Sequence, residues 1–208
     1  MQKRNIRRAL AAVGILAVLV PAAACGADDE PSDAPRNSAE PNQADVDFAT
    51  DMIQHHAQAL SMVDLTRGRD IDDAFGELVE GIQAAQAPEI ETMTTWLTAW
   101  GEEVPATMRD HVNSGHGSEP GAGMEGMDHE MAEMPGMMTA EQMQALGNAS
   151  DAEFEELWIT MMIEHHEGAV AMAQAEVDGG RFGPARELAQ AIVDGQQREI
   201  DEMRAMLE

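Results

Sequence analysis

The chain contains the same pattern twice. Displaced by 110 positions, "MIQHHAQALSM" at 52–62 falls on "MIEHHEGAVAM" at 162–172 with no gap. Met52, Ile53, His55, His56, Ala59 and Met62 meet Met162, Ile163, His165, His166, Ala169 and Met172. The register continues, and Leu78, Ile82, Gln86, Glu89, Ile90, Met93 and Leu97 meet Leu188, Ile192, Gln196, Glu199, Ile200, Met203 and Leu207. An internal duplication requires both halves to fold alike, so one copy's structure must be able to pack against the other.

Each copy reads as two helices. Phe48, Met52, His55, Ala59 and Met62 recur at steps of four, three, four and three, beside Ala49, Ile53, His56, Leu60 and Val63 at the same steps. Together they form a broad apolar stripe along one helix face. The turn "RGRD" ends that helix near residue 67, and a second helix spans about 71–100 with Leu78, Ile82, Ile90, Met93 and Leu97 inward. Pro88 is predicted to kink or split it. The second copy predicts helices over about 151–178 and 184–207, with "DGGRFGP" as the stop and Pro184 as the new start. Aromatic residues make up only 3% and Tyr is absent, while good helix formers dominate. The predicted fold is therefore all-α, a four-helix bundle of two duplicated hairpins at 45–104 and 148–208. A long Met- and Gly-rich loop at 105–147 joins them, irregular above all across 105–138.

The N-terminus has a different purpose. "MQKRNIRR" is a basic start, "ALAAVGILAVLV" an apolar core and "PAAAC" a cleavage region, so residues 1–24 are expected to be a signal peptide. The arrangement resembles a bacterial lipoprotein signal, in which Cys25 would be lipidated and become the mature N-terminus. Ordinary cleavage leaving a free thiol is the alternative. Residues 25–44 would then be a disordered acidic tether, and the protein would sit on the outer face of the bacterial cell membrane, held by its lipid alone. Removing 1–24 takes away Lys3, Arg4, Arg7 and Arg8 and no acid, leaving 8 basic against 39 acidic residues and a formal charge of −31. Such a surface repels phosphate backbones and argues against nucleic acid as a partner.

Both histidines of each pair fall on the apolar stripe. Met52 precedes His55 by three residues and His56 by four, spacings that bring side chains together on a helix; Met162 stands likewise to His165 and His166. Met62 and Met172 lie two turns further along and would serve a neighbouring layer. Thioether sulfur suits Cu(I), and imidazole suits copper among other metals. Zinc sites favour cysteine, and none but Cys25 exists. No histidine has a Glu three residues before it, which disfavours a standard di-iron bundle. The competing structural reading makes the methionines core fillers and the histidines hydrogen-bonded to Glu89 and Glu199.

The loop supplies separate donors. Met124, Met127, Met131, Met134, Met137 and Met138 fall within 15 residues, with His129 among them. Repeated M-x-x-M spacing lets a chain wrap sulfurs around a soft ion, and thioethers ligate without losing a proton. A hydrophobic partner site and a sacrificial oxidant trap are the other readings.

"MIQHHAQALSM" and "MIEHHEGAVAM", followed by "QAPEIETM" and "QQREIDEM", resemble the family called domain of unknown function 305 over residues 45–208, apart from the methionine loop. The resemblance implies a ferritin-like bundle in exported bacterial proteins, some linked to copper binding and copper tolerance. It implies as signature residues His55, His56, Met62, His165, His166 and Met172, with Glu89, Met93, Glu199 and Met203 from the partner helices. The expected function is binding of copper, Cu(I) ahead of Cu(II), for sequestration, tolerance or transfer to a copper-handling protein. The bundle would hold the ordered sites and the loop the faster-exchanging ones, and the histidines would lose metal below their reference pKa near 6.5. A metal-dependent redox enzyme and a metal-free helical interaction module are the alternatives; no catalytic residue is nominated.

Overall fold

The structure, a computed structural model, describes residues 40–107 and 134–208. The signal segment, Cys25 and most of the tether lie outside the described residues, as do Met124, Met127, His129 and Met131.

Five helices and no strand make up the described residues: α1 (Gln43–Asp64), α2 (Asp73–Trp100), α3 (Ala140–Asn148), α4 (Asp151–Gly179) and α5 (Gly183–Met206). None is long and apolar enough to cross a membrane. Local chemistry sets the ends. Asn42 and Asp45 form a reciprocal capping box on α1, and Asp72 accepts from the Ala74 N–H at the start of α2. Gly101 closes α2 at φ 79°, a left-handed conformation that glycine adopts without a Cβ penalty.

Two expectations are corrected. Pro88 does not split α2, which runs unbroken for 28 residues. Pro88 and Ala84 both lie on the exposed face, so the carbonyl that loses its N–H partner faces water instead of the core. The segment 105–147 is not loop throughout: α3 begins at Ala140, where Thr139 and Gln142 form a second capping box.

The four long helices pack around two apolar clusters. One holds Ala59, Met62 and Val63 of α1 with Phe75, Leu78 and Ile82 of α2, Phe154, Trp158 and Met162 of α4, and Ile200 and Met203 of α5. The other holds Phe48, Met52 and Ile53 with Met93, Leu97, Ala169, Ala173, Ala189 and Ile192. Each cluster joins one end of α1 to the opposite end of α4, so these two helices run antiparallel. Hydrogen bonds at both ends agree: Asn42 Nδ2 donates to the Gly179 carbonyl at 2.9 Å, and the Trp158 indole N–H to the Met62 carbonyl at 2.9 Å.

The duplication is visible as approximate two-fold symmetry. Asp45 accepts the Phe182 backbone N–H at 2.9 Å, and Glu155, its equivalent 110 residues on, accepts the Asp72 N–H at 2.8 Å. Each hairpin thus uses an acid near the start of its first helix to cap the second helix of the other. Between the two apolar clusters the bundle's midsection is polar.

Candidate metal centre

The midsection is built from one stretch of each long helix. On α1 and α4 the stripe brings in His55, His56, His165 and His166, all with 0% exposure. On α2, Gln86 and Glu89 lie between inward Ile82 and Met93; on α5, Gln196 and Glu199 lie between Ile192 and Met203. The result is a buried polar layer with apolar packing above and below it.

The hydrogen bonds fix which ring nitrogen is free. His56 Nε2 lies 2.7 Å from Glu89 Oε2, and His166 Nε2 2.8 Å from Glu199 Oε2. A carboxylate only accepts, so each Nε2 donates, and in the neutral ring Nδ1 is the nitrogen with the lone pair. His55 Nε2 donates to the Pro135 carbonyl at 3.1 Å, which leaves its Nδ1 in the same state. The Nδ1 atoms of all four histidines, and Nε2 of His165, are buried without a hydrogen-bond partner. So are both amide atoms of Gln86 and of Gln196. The rings of His55 and His165 nearly touch across the approximate two-fold, with centroids 3.8 Å apart and planes tilted by 41°.

Electrostatics keep these two rings neutral. Burial pushes His55 down to about 3, and the neighbouring His56 adds to the effect while the bond to Pro135 opposes it. Burial likewise holds His165 well below 6.5, helped by His55 and His166. The reference value near 6.5 is therefore not where His55 takes a proton. A neutral imidazole with a free nitrogen is the form that ligates a metal.

The predicted sulfur donors flank the layer in two sets. Met52 and Met93 are fully buried in one cluster, with Met172 partly buried against it. Met162, Met203 and Met62 are fully buried in the other. These sets are equivalent under the 110-residue repeat, and each draws on both halves of the chain. Of the loop methionines, Met138 joins the cluster of Met62, Met137 is buried, and Met134 is partly exposed. Gln86 and Gln196 were not among the predicted site residues. Their signal was present, since both repeat at the same displacement, three residues before the glutamates.

Among the described residues no three His, Cys, Asp or Glu side chains are disposed to hold a metal ion by themselves. An ion in this layer would need thioether sulfur beside imidazole nitrogen. Both donor types are present, since the unpartnered ring nitrogens belong to the layer and buried methionines belong to the apolar clusters on either side of it. At His56 and His166 a free Nδ1 goes with an Nε2–H held by a carboxylate, the outer arrangement that orients metal-binding histidines.

Residues 45–207 match the family described as domain of unknown function, DUF305. No curated protein matches at a significant level. Among solved structures, a DUF305 fragment from Deinococcus radiodurans is 27% identical, covering 81% of this chain and 97% of its own, with a TM-score of 0.65. A putative secreted DUF305 protein from Streptomyces coelicolor is 31% identical, covering 79% and 91%, with a TM-score of 0.64. CopM in its Cu(II)-bound form is 26% identical, covering 78% and 94%, with a TM-score of 0.58.

Proposed function

The chain belongs to the DUF305 family, and from that premise we propose that it binds copper, Cu(I) ahead of Cu(II), with the buried histidines and the methionines that flank them. The observation that carries the reading is the set of buried Nδ1 lone pairs with no partner. A buried polar atom left unpaired costs about 1–3 kcal/mol, so a layer of them calls for something to bind. Imidazole beside neutral thioether is a donor set for copper, and for Cu(I) above all. The likeness to CopM, a protein with a Cu(II)-bound form, supports the same metal.

In this reading His55, His56, His165 and His166 supply nitrogen through Nδ1. Met52, Met93 and Met172 supply sulfur on one side, and Met62, Met162 and Met203 on the other. Glu89 and Glu199 act as orienting groups, because each already holds an Nε2–H. Met124, Met127, His129, Met131, Met134, Met137 and Met138 provide weaker, faster-exchanging capture. The chain works outside the cytosol, anchored through Cys25. The likeness to a putative secreted protein is consistent with export.

An anaerobic Cu(I) titration against a competing chelator tests this. Wild type is compared with a variant lacking residues 108–133 and with one carrying Ala at His55, His56, His165 and His166. The tight sites are expected to survive the deletion and to vanish in the histidine variant. Binding should also raise the unfolding free energy of wild type by about 2.7 kcal/mol when free Cu(I) is a hundred times Kd. A transition unmoved by Cu(I) would instead make the bundle a metal-free interaction module.

A further inference from the structure

The two halves of the layer differ at one place. Residues 134–138 leave the loop and cross the bundle as a short strap. Their path depends on position 58 of the first copy and its equivalent, 168, in the second. Gln58 is 1% exposed and grips the strap at both polar atoms of Met138. Its amide donates to the Met138 carbonyl at 2.9 Å and accepts the Met138 N–H at 2.7 Å. The second copy has Gly168, and a Cβ there would fall on the Pro135 carbonyl. The strap answers with a glycine of its own: Gly136 sits at φ 76°, and a Cβ on it would meet the Glu164 carbonyl oxygen at 2.6 Å. One copy therefore holds the strap and the other makes room for it.

The strap also touches the donor layer. The Pro135 carbonyl takes the Nε2–H of His55. His165, the symmetric partner, has no hydrogen bond at either ring nitrogen. We propose that Pro135 and Gln58 are positioning residues for the layer: the docked strap holds His55 with only Nδ1 free and controls how fast an ion enters and leaves. The exchange role rests on the copper reading; the positioning of His55 does not.

The strap is the part that can move at least cost. All four histidines are sealed from solvent. Above and below, the layer is closed by apolar clusters of the long helices, and at its sides Glu89 and Glu199 stay bonded to His56 and His166. Lifting the strap breaks the two Gln58 bonds and the His55 bond and withdraws Met137 and Met138, leaving the four long helices in place.

Two variants release it. Gln58→Ala removes both clamping bonds, which should raise the open fraction about thirtyfold. Gly168→Ala places a methyl group where the Pro135 carbonyl lies. Gly81→Ala is the control, since nothing lies within 4 Å of a Cβ at that site. Nitrogen NMR of the full metal-free chain reads the His55 tautomer and the exchange rate of its ring proton. Stopped-flow transfer of Cu(I) from the loaded protein to a chelator reads metal exchange.

Wild type should show His55 protonated at Nε2 with slow exchange. Gln58→Ala should speed both that exchange and Cu(I) transfer by about thirtyfold, and Gly168→Ala should speed both as well, while the His166 ring proton held by Glu199 stays unchanged. Should Gly168→Ala not fold, Gln58→Ala decides. A His55 proton on Nδ1 in wild type overturns the positioning role. Freed His55 with unaltered Cu(I) transfer overturns the control of exchange. No Cu(I) uptake by wild type ends the copper reading and the exchange role together, and the NMR result still decides whether Pro135 positions His55.

Discussion

Replacing Glu176 with Gln should remove a pH-dependent weakness from one end of the bundle. Glu176 lies near the C-terminus of α4 with 1% exposure, and no N–H reaches either carboxylate oxygen. Gly180 packs so closely over it that a Cβ there would overlap Oε1. Beside it Asp45 is fully buried and accepts the backbone N–H groups of Asn42 at 2.6 Å, Arg181 at 3.0 Å and Phe182 at 2.9 Å. Burial first, then the hydrogen bond with Asp45 and its charge, push Glu176 up to about 8, against the opposing charge of Arg186. The folded state therefore keeps a proton that the unfolded chain, with a value near 4.5, gives up. A folded pKa raised above the unfolded one means stability that is complete below pH 4.5 and is lost as pH rises toward 8. Between pH 5 and 7.5 that loss is on the order of 3 kcal/mol. Glu176→Gln keeps the shape and has no proton to lose, so it should gain on wild type by about that amount across the interval. For a domain of this size the gain corresponds to roughly 6–12 °C in Tm. Thermal unfolding of both proteins at pH 5, 6, 7 and 7.5, followed by circular dichroism, gives the difference directly, and every other titration common to the two cancels. A difference constant with pH would refute the reasoning.

Three further outcomes follow from single sites. His55 runs the other way: its folded value near 3 lies below the unfolded 6.5, so its contribution is complete above pH 6.5 and lost toward 3. The metal-free protein should lose on the order of 2 kcal/mol through His55 between pH 6.5 and 5, a slope absent from His55→Asn in urea unfolding at those pH values. Arg69 donates to the carbonyls of Leu65, Ala149 and Gly147 and to Asp151, and stacks over Phe154 at 3.9 Å. Arg69→Lys cannot reproduce that planar fork and should cost about 2 kcal/mol in urea unfolding. Gly81→Ala, in open space within α2, should stabilise by about 0.4–1 kcal/mol in the same assay.

The helices were legible because each carries a long, regular stripe, and α2, α4 and α5 begin and end within two residues of the predicted bounds. Pro88 was not, since a pattern says that a carbonyl loses its partner and not which way it faces. Helix α3 was hidden by its Gly-rich surroundings, although Thr139 and Gln142 already spelled a capping box. The histidine and methionine positions could be read from spacing, because spacing fixes a helix face. The free nitrogen of His55, His56 and His166 could not. It is decided by Glu89 and Glu199, each 33 residues from its histidine, and by Pro135, 80 residues from His55. Gln86 and Gln196 were passed over because glutamine has no metal-ligand signature; only their burial without partners marks them.

That burial sets the layer apart from the apolar packing on either side of it. Five ring nitrogens and four amide atoms have no protein hydrogen-bond partner there, and a buried polar atom that nothing pairs costs about 1–3 kcal/mol. The two clusters on either side supply the packing that keeps the helices together around it. Selection for stability alone would replace the layer with leucines, and duplication would copy the improvement into both halves. The layer is instead repeated in both halves, while beside it Gln58 of one copy clamps the strap and Gly168 of the other leaves room for it. Under the proposed copper reading, a symmetric donor set with an asymmetric closure suits a chain that both takes up an ion and releases it.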